Sequence, residues 1–382
     1  VGAVSSLDRA WAEISRSALE ANVHALTSVL GATAICGVVK ANGYGHGAVI
    51  VARTLLDAGA TSLAVATVDE GAELRAAGVR APILLLAEIP ASSLDEAMTR
   101  SLTLTVGSLA GAHAAVDAAK RLGGVHLVHL KVDTGMHRMG VAPEDVLEVL
   151  EVLLASDDID VEGIYTHLSV ADGDVDEDRQ FTQAQIDTLD AVLDELGPLR
   201  RPRVVHLANS AGALGYPQAR RDLARVGLAL YGYLPRAWLG DVLSEHGVSL
   251  TPALSLRAKV IATRRLKAGA RPSYGRRRAL VRDSTVVTVP LGYADGFARR
   301  LFDADAHVLI GGRRYPLAGV VTMDQIMVDV GDDEVHVGDE VVLLGTQGDE
   351  SITADEWATR AGTITWEILC ATSARVPRVL VD

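Results

Sequence analysis

Residues 125–167 read VHLVHLKVDTGMHRMGVAPEDVLEVLEVLLASDDIDVEGIYTH. Two apolar runs, Val125–Val132 and Val161–Thr166, enclose a stretch in which Leu147, Leu150 and Leu154 recur at helical spacing. Pro143 opens that stretch with Glu144 and Asp145 behind it. A fixed φ and early negative charge both suit a helix N-terminus. The runs are rich in Val, Leu and Ile rather than alternating, as parallel strands covered on both faces are. Strand, helix and strand in this order make one βαβ unit.

The unit repeats outward in both directions. Further runs lie at Ala34–Val39, Ser62–Ala66, Ile83–Ala87, Leu102–Val106, Val204–Ala208 and Val226–Tyr231, eight in all. Helical stripes lie between them: Leu19, Val23, Leu26 and Leu30; Val49, Ala52 and Leu56; Ile186, Leu189, Leu193 and Leu196. The last of these helices starts with acids near Asp176. Eight buried strands alternating with helices over about 250 residues is the arithmetic of a (β/α)8 TIM-type barrel. The expected fold class is therefore α/β, with a doubly wound open sheet as the competing arrangement.

After Pro235 the pattern changes. Strand-like runs follow without intervening helices at Ala258–Thr263, Val286–Val289, Val308–Ile310, Ile326–Val330 and Glu340–Leu344. Gly311-Gly312 signals a hairpin. Ala354–Ala361 reads as a helix. The expected organisation is a barrel over residues 1–240 and a mostly β domain over 241–382, with roughly the first dozen residues packing on the β domain.

Composition bounds the function. The 382 residues are 49% hydrophobic and 22% charged, so a full core is available. Lys plus Arg is 36 against 49 Asp plus Glu, a net charge of −13. That balance argues against nucleic acid or an anionic membrane as a partner, despite the local basic patch Arg276–Arg278. Cys36 and Cys370 are the only cysteines, which excludes a disulfide scaffold and suits a reducing cytosol. The opening residues show no basic-then-apolar leader, and no apolar run approaches the ~20 residues of a spanning helix. A cytoplasmic protein is expected, and no metal site is expected.

Chemistry on a barrel belongs where strands end. The first run closes on Lys40, followed by ANGYGHG; the fifth ends in KVDTGMHR, the sixth in Tyr165-Thr166-His167, the seventh in Asn209-Ser210. Lys40 alone reads either as a strand-end lysine reaching for water or as a Schiff-base lysine. Arg225-Val226-Gly227-Leu228 with Ser210 suits a phosphate, which in such barrels lies near strands seven and eight, although Gly227 alone is as readily a packing glycine. An amine on one strand, a phosphate cradle opposite and positive groups between them suit pyridoxal phosphate.

The set VVKANGYGHG, KVDTGMHRMG, HLANSAG, RVGLALYG, SYGR, LGYADG and TMDQ, in this order, resembles the alanine racemase family of fold-type III pyridoxal-phosphate enzymes. The resemblance covers nearly the whole chain. It implies a (β/α)8 barrel with a C-terminal β domain, working as a head-to-tail homodimer whose active sites are shared between chains. It implies interconversion of L- and D-alanine, hence supply of D-alanine for bacterial peptidoglycan. Lys40 matches the lysine that carries the cofactor. Tyr44, Ser210, Gly227 and Leu228 match phosphate-binding positions, and His167 and Asn209 fall among the cofactor residues. Arg225 matches the arginine facing the pyridine nitrogen; a guanidinium keeps its proton, so the ring is a weaker electron sink and simple proton exchange is favoured. Tyr274, from the partner chain, matches the second catalytic base, with Arg225, His167 and His206 behind it. Arg138 matches the substrate-carboxylate arginine, Met323 and Asp324 the pocket residues of the partner chain, and Lys131 a lysine often carbamylated. Lys131 reads equally as a strand-end ion pair with Asp133.

Two positions depart from the family pattern. Thr322 replaces the usual cysteine before Met-Asp-Gln. Trp366 replaces a tyrosine whose hydroxyl reaches the phosphate, which removes an O–H donor worth roughly 1–3 kcal/mol if its acceptor is left unpaired. Trp366 therefore motivates a second reading, a broader amino-acid racemase acting for example on serine. A fold-type III decarboxylase would carry an acid facing the ring nitrogen and a cysteine in the β domain, where Arg225 and Thr322 stand. A non-catalytic cofactor carrier would lack the β domain and the second base.

Overall fold

Among residues 9–382, which the computed structural model describes, the first strand does not open the barrel. β1 (Ala10–Ser15) pairs antiparallel with β10 (Leu254–Lys259) and parallel with β18 (Arg378–Val381). The chain divides into two compact units. One holds Ala18–Gly43 and Ala48–Thr251; the other holds the described residues up to Ser17, Tyr44–Gly47 and Pro252–Asp382.

The first unit is the barrel. Its strands are β2 (Ala34–Val38), β3 (Ser62–Val65), β4 (Ile83–Leu85), β5 (Leu104–Val106), β6 (His126–Lys131), β7 (Ile159–Tyr165), β8 (Val204–His206) and β9 (Leu223–Val226). They pair in parallel in the orders β4-β3-β2-β9 and β5-β6-β7-β8. A Leu84–Thr103 bridge joins β4 towards β5. Asp222 N donates to Val205 O at 3.1 Å and Arg225 N to Ala208 O at 2.9 Å, which joins β8 to β9 and closes the ring. An open sheet would leave those edges unpaired.

The helices follow from caps and stripes. Thr67 and Glu70 form a capping box at the helix Val68–Ala76, and Ser108 caps Leu109–Leu122. Leu19, Val23, Leu26 and Leu30 are all buried, as are Ile186, Leu189, Leu193 and Leu196. In two other stripes the middle residue, Ala52 or Leu150, is buried as the periodicity placed it, but the end residues are each displaced by one. Val51, Ala52 and Leu55 face inward in Ala48–Asp57, and Val146, Val149, Leu150 and Leu153 in Val146–Leu154, with Leu154 51% exposed. Both segments are apolar on most faces, so spacing alone does not select one.

The eighth strand also differs from the sequence expectation. It is Leu223–Val226, and Leu228–Tyr231 is a short 3-10 turn. A short buried apolar run reads alike as strand or helical turn. The helix Leu239–Glu245 interrupts the stretch expected to lack helices. It belongs to the barrel unit, where an added Cβ on Gly215 would fall 2.4 Å from the Trp238 ring.

The second unit is mostly β. One sheet runs β14 (Arg313–Pro316), β13 (His307–Ile310), β16 (Glu340–Gln347), β10, β1 and β18, with β17 (Glu350–Ile352) beside β16. A smaller one runs β11 (Ala262–Leu266), β12 (Ser284–Val289), β15 (Ile326–Gly331). The expected strand Ala258–Thr263 is in fact a corner: β10 ends at Lys259, β11 begins at Ala262, and the chain changes sheets between them. Gly311-Gly312 does make the hairpin of β13 and β14, with φ of 57° and 75° and Ile310 paired to Arg313. Ala354–Ala361 is a helix, and its Trp357 packs edge-on against Phe297 at 4.8 Å.

Candidate active site

The strand ends of the barrel carry the groups singled out in the sequence. Lys131 is the last residue of β6 and His206 the last of β8. Arg225 is in β9, and His167 lies just beyond β7. Lys40 follows β2 and opens a left-handed turn: φ is 53° at Ala41, 53° at Asn42, 60° at Gly43 and 51° at Tyr44. Three of these four residues have side chains, and each such position costs roughly 1–2 kcal/mol. Side chains hold the turn. Glu70 accepts from Ala41 N and Ala66 N at 2.7 Å each, and Asn42 Oδ1 from Ala48 N at 2.8 Å.

Arg225 is 3% exposed. Its Nη1 donates to His206 Nδ1 at 2.8 Å and to His206 O at 3.1 Å. Its Nη2 donates to Thr166 O at 2.8 Å, Leu207 O at 3.1 Å and His167 Nδ1 at 3.3 Å. The guanidinium carbon sits 4.9 Å from the centre of the Tyr165 ring. Among the described residues its Nε donates to no acceptor. Because arginine only donates, Nδ1 of His167 accepts and the hydrogen of its ring is on Nε2. Burial holds the His167 pKa well below the usual value, and the charges of Arg225, Arg138, Lys131 and Lys40 push the same way.

Lys131 is 5% exposed, with Nζ 5.4 Å from the Tyr165 ring centre. Burial, then the neighbouring charges of Arg225 and Arg138, lower its pKa to about 8; Lys40 adds to this and Asp133 opposes it. The ion pair with Asp133 that the sequence allowed is not formed. Asp133 Oδ1 accepts from Gly135 N and His137 N at 3.0 Å each, and Oδ2 faces His137 Nδ1 at 3.4 Å. Burial works against ionisation of Asp133, but those bonds win and its pKa is lowered. Arg138 is exposed and, among the described residues, makes no ion pair.

Ser210 is 6% exposed, and its Oγ accepts from Gly227 N at 3.0 Å and Ala229 N at 3.4 Å. That leaves its hydroxyl hydrogen to donate elsewhere. Leu228 N, at the start of the 3-10 turn, donates to no backbone carbonyl among the described residues. Asn209 is engaged as a cap: Oδ1 accepts from Gly212 N at 2.9 Å and Nδ2 donates to Leu168 O at 3.2 Å.

The β unit holds the remaining candidates. Tyr274 is 74% exposed, on a loop with φ of 68° at Ser273, 69° at Gly275 and 48° at Arg276. Ser273 Oγ fastens this loop to Val320 O at 2.6 Å. Gly319 lets it approach, since a Cβ there would lie 2.5 Å from Pro272 O. Met323 is 52% exposed, and Asp324 pairs with Arg375 at 2.8 Å. Thr322 closes the turn before them: Oγ1 donates to Gln325 O at 2.8 Å and accepts from Gln325 N at 3.2 Å. Tyr44 is buried, and burial raises its phenol pKa, with Cys370 adding to the effect. Trp366 is half-buried in the helix Thr365–Cys370.

Three residues escaped the sequence reading. Tyr165 stacks on His206 at 4.6 Å between the positive charges, Glu70 holds the turn after Lys40, and His129 lies against His206. Tyr165 stood in a quoted strand end; the others have partners distant in sequence.

A closed parallel barrel with cations gathered at its strand ends, in one chain with a β unit, is the architecture of a barrel enzyme, and its strand-end charges suit anions. Residues 14–235 match the family model described as alanine racemase, N-terminal domain, and residues 253–380 the one described as alanine racemase, C-terminal domain. An alanine racemase of Symbiobacterium thermophilum is 44% identical over 373 residues, covering 96% of each chain. The structure of an alanine racemase from Streptomyces coelicolor superimposes with a TM-score of 0.91 at 35% identity, covering 99% of both chains. A histidine racemase from Leuconostoc mesenteroides superimposes at 0.88 with 29% identity, also over 99% of both chains. The chain belongs to the alanine racemase family, which comprises pyridoxal-phosphate-dependent isomerases. Among the described residues, no helix is long and apolar enough to cross a membrane.

Proposed function

We propose that this chain interconverts L- and D-alanine as a homodimer, using pyridoxal phosphate, and so supplies D-alanine for peptidoglycan. The observation that carries the reading is the gathering of Lys40, Lys131, Arg138 and Arg225, whose charges press on His167. The nearby carboxylate, Asp133, is held by loop amides. Such a cluster calls for anions, and a phosphate and a substrate carboxylate are two.

The residues fit the cofactor. Arg225 has Nε to offer a ring nitrogen and, as a guanidinium, leaves that nitrogen unprotonated. Ser210 has its hydroxyl hydrogen, and Leu228 its N–H, to offer a phosphate, with Gly227 between them and Tyr44, Asn209 and Trp366 as the further proposed contributors. When bound, pyridoxal phosphate supplies the conjugated ring that acidifies the substrate Cα–H.

The chain's own groups do the rest. Lys40 would hold the cofactor covalently at rest and, as the free amine once the substrate amine has taken its place, would exchange the Cα proton on the D-face. Tyr274 of the partner subunit exchanges it on the L-face. Racemisation needs two bases, because one base returns the proton to the side it left. Arg138 binds the substrate carboxylate, and the backbone N–H of Met323, also from the partner chain, aims at it, with Asp324 lining the pocket. Neutral His167 stands behind the phenol. Lys131, partly neutral near pH 8, is poised to take up carbon dioxide as a carbamate, whose negative charge would hold Arg138. The exposure of Tyr274, Met323 and Ile364 on one unit supports a second chain covering them.

The test is the optical rotation of L-alanine incubated with protein loaded with pyridoxal phosphate, beside Lys40→Ala. Decay to zero rotation without loss of alanine is expected, since the enantiomers are equally stable. Unchanged rotation with cofactor bound would reject alanine as substrate. A second reading, a broader-specificity racemase, is favoured by Trp366 and by the histidine racemase of the same fold. L-serine and L-histidine in the same assay decide it.

A further inference from the structure

Behind Arg225, the barrel holds a series of titratable groups that runs from His206 to His129 and Glu162. Arg225 Nη1 donates to His206 Nδ1, so the hydrogen of His206 is on Nε2. His206 Nε2 lies 2.8 Å from His129 Nδ1, which must therefore accept. His129 in turn carries its hydrogen on Nε2, 3.2 Å from Glu162 Oε2. Glu162 is steadied by Arg203 at 3.3 Å, itself bound twice to Asp160 at 2.8 Å. Every N–H points the same way, from a group that can only donate to a group that, ionised, can only accept. His206 is 0% and His129 4% exposed, whereas the Glu162 side chain is 23% exposed.

The backbone is shaped around this series. In β6 and β7, Val128 pairs with Val161 but His129 pairs with Gly163, so Glu162 is the extra residue of a bulge. Bulges bend a strand and re-aim a side chain. A Cβ on Gly163 would lie 2.7 Å from His129 Cε1 and Nδ1, so the glycine makes room for the ring. The His206 ring meets that of His129 edge-on at 4.9 Å and stacks on Tyr165.

The arrangement answers a problem set by Arg225. Its charge is buried, and among the described residues no carboxylate lies within ion-pair distance of it. A carboxylate at the far end polarises both imidazoles and makes His206 Nδ1 a stronger acceptor. We infer that His129 and Glu162 are positioning residues: they lock His206 in its Nε2–H form and thereby fix the guanidinium of Arg225. The inference rests on the racemase reading for its catalytic consequence.

The test uses full-length protein. Nitrogen-15 spectra of histidine-labelled, cofactor-free protein report which ring nitrogen carries the hydrogen. Wild type is expected to show His129 and His206 as Nε2–H. Glu162→Ala removes the terminal acceptor; His129→Phe keeps the ring beside Gly163 but cannot accept from His206. In each, His206 is expected to leave the single Nε2–H form. In the loaded enzyme kcat should fall about 10- to 100-fold, with KM within about threefold. Glu162→Gln, whose amide oxygen still accepts, should restore both readouts most of the way. Should one variant fail to fold, the other decides. A His206 that stays wholly Nε2–H, or a kcat within about twofold of wild type despite a shifted tautomer, or a loss carried by KM, would overturn the inference. The spectra need neither cofactor nor substrate. An inactive wild type would therefore remove the functional reading, while the His206 tautomer still decides the positioning.

Discussion

Burying a lysine among like charges has a thermodynamic signature. The Lys131 pKa falls from 10.5 to about 8 in the fold. At 1.36 kcal/mol per unit, the charged form is disfavoured by roughly 3 kcal/mol relative to the unfolded chain. Below pH 8 Lys131 is protonated in both states and the full penalty applies. Between pH 8 and 10.5 the unfolded chain binds the extra proton, so stability rises with pH. Above 10.5 the penalty is gone. Cys36 opposes this over part of the range, because burial raises its thiol pKa to about 11. Comparison with Lys131→Met isolates the lysine. Urea midpoints of cofactor-free protein, in buffers purged of carbon dioxide, should rise with pH for wild type relative to the variant from pH 8 to 10.5. Bicarbonate should then stabilise wild type alone, because a carbamate turns repulsion from Arg138 and Arg225 into attraction. Parallel curves for the two proteins would refute the argument.

Mixing Lys40→Ala with Tyr274→Phe subunits should recover part of the activity, since one site of each heterodimer regains both bases; no recovery with verified subunit exchange would reject shared sites. Ser210→Ala leaves the buried amides of Gly227 and Ala229 without their acceptor, so it should cost about 1–3 kcal/mol in urea unfolding and weaken cofactor affinity in a fluorescence titration. Trp366→Tyr returns a hydroxyl beside the proposed phosphate and should tighten pyridoxal phosphate about tenfold in the same titration; unchanged affinity would mean that the indole already serves.

The barrel was legible because its strands are continuous apolar runs, and the strand-end residues were legible because they stand in motifs. What escaped depends on partners far away in the chain. The run from Val226 to Tyr231 is buried throughout, so nothing local separates its one strand residue from the turn that follows. In Val146–Leu154 the leucines and valines circle the helix, and the barrel chose the face. Asp133 abandoned Lys131 for amides that only the folded loop presents. His129 and Glu162 are 33 residues apart, and His129 and His206 are 77 apart. A bulge places the first pair, and bulges leave no period to read.

The pairing of β1 with β18 bears on the order of assembly during synthesis. Ser15 pairs with Val381, and β1 also needs β10, which begins at Leu254. On the ribosome the first strand must therefore wait, without its partners, until the entire barrel has emerged. The barrel's own strands lie between Ala34 and Val226 and can close in the meantime. The unit bearing Tyr274 is completed last, so a chain stalled or clipped shortly before Arg378 would carry a finished barrel and an unpaired edge on β1. Such an edge invites pairing with another chain, and β1 would then be the place where nascent or truncated molecules begin to aggregate.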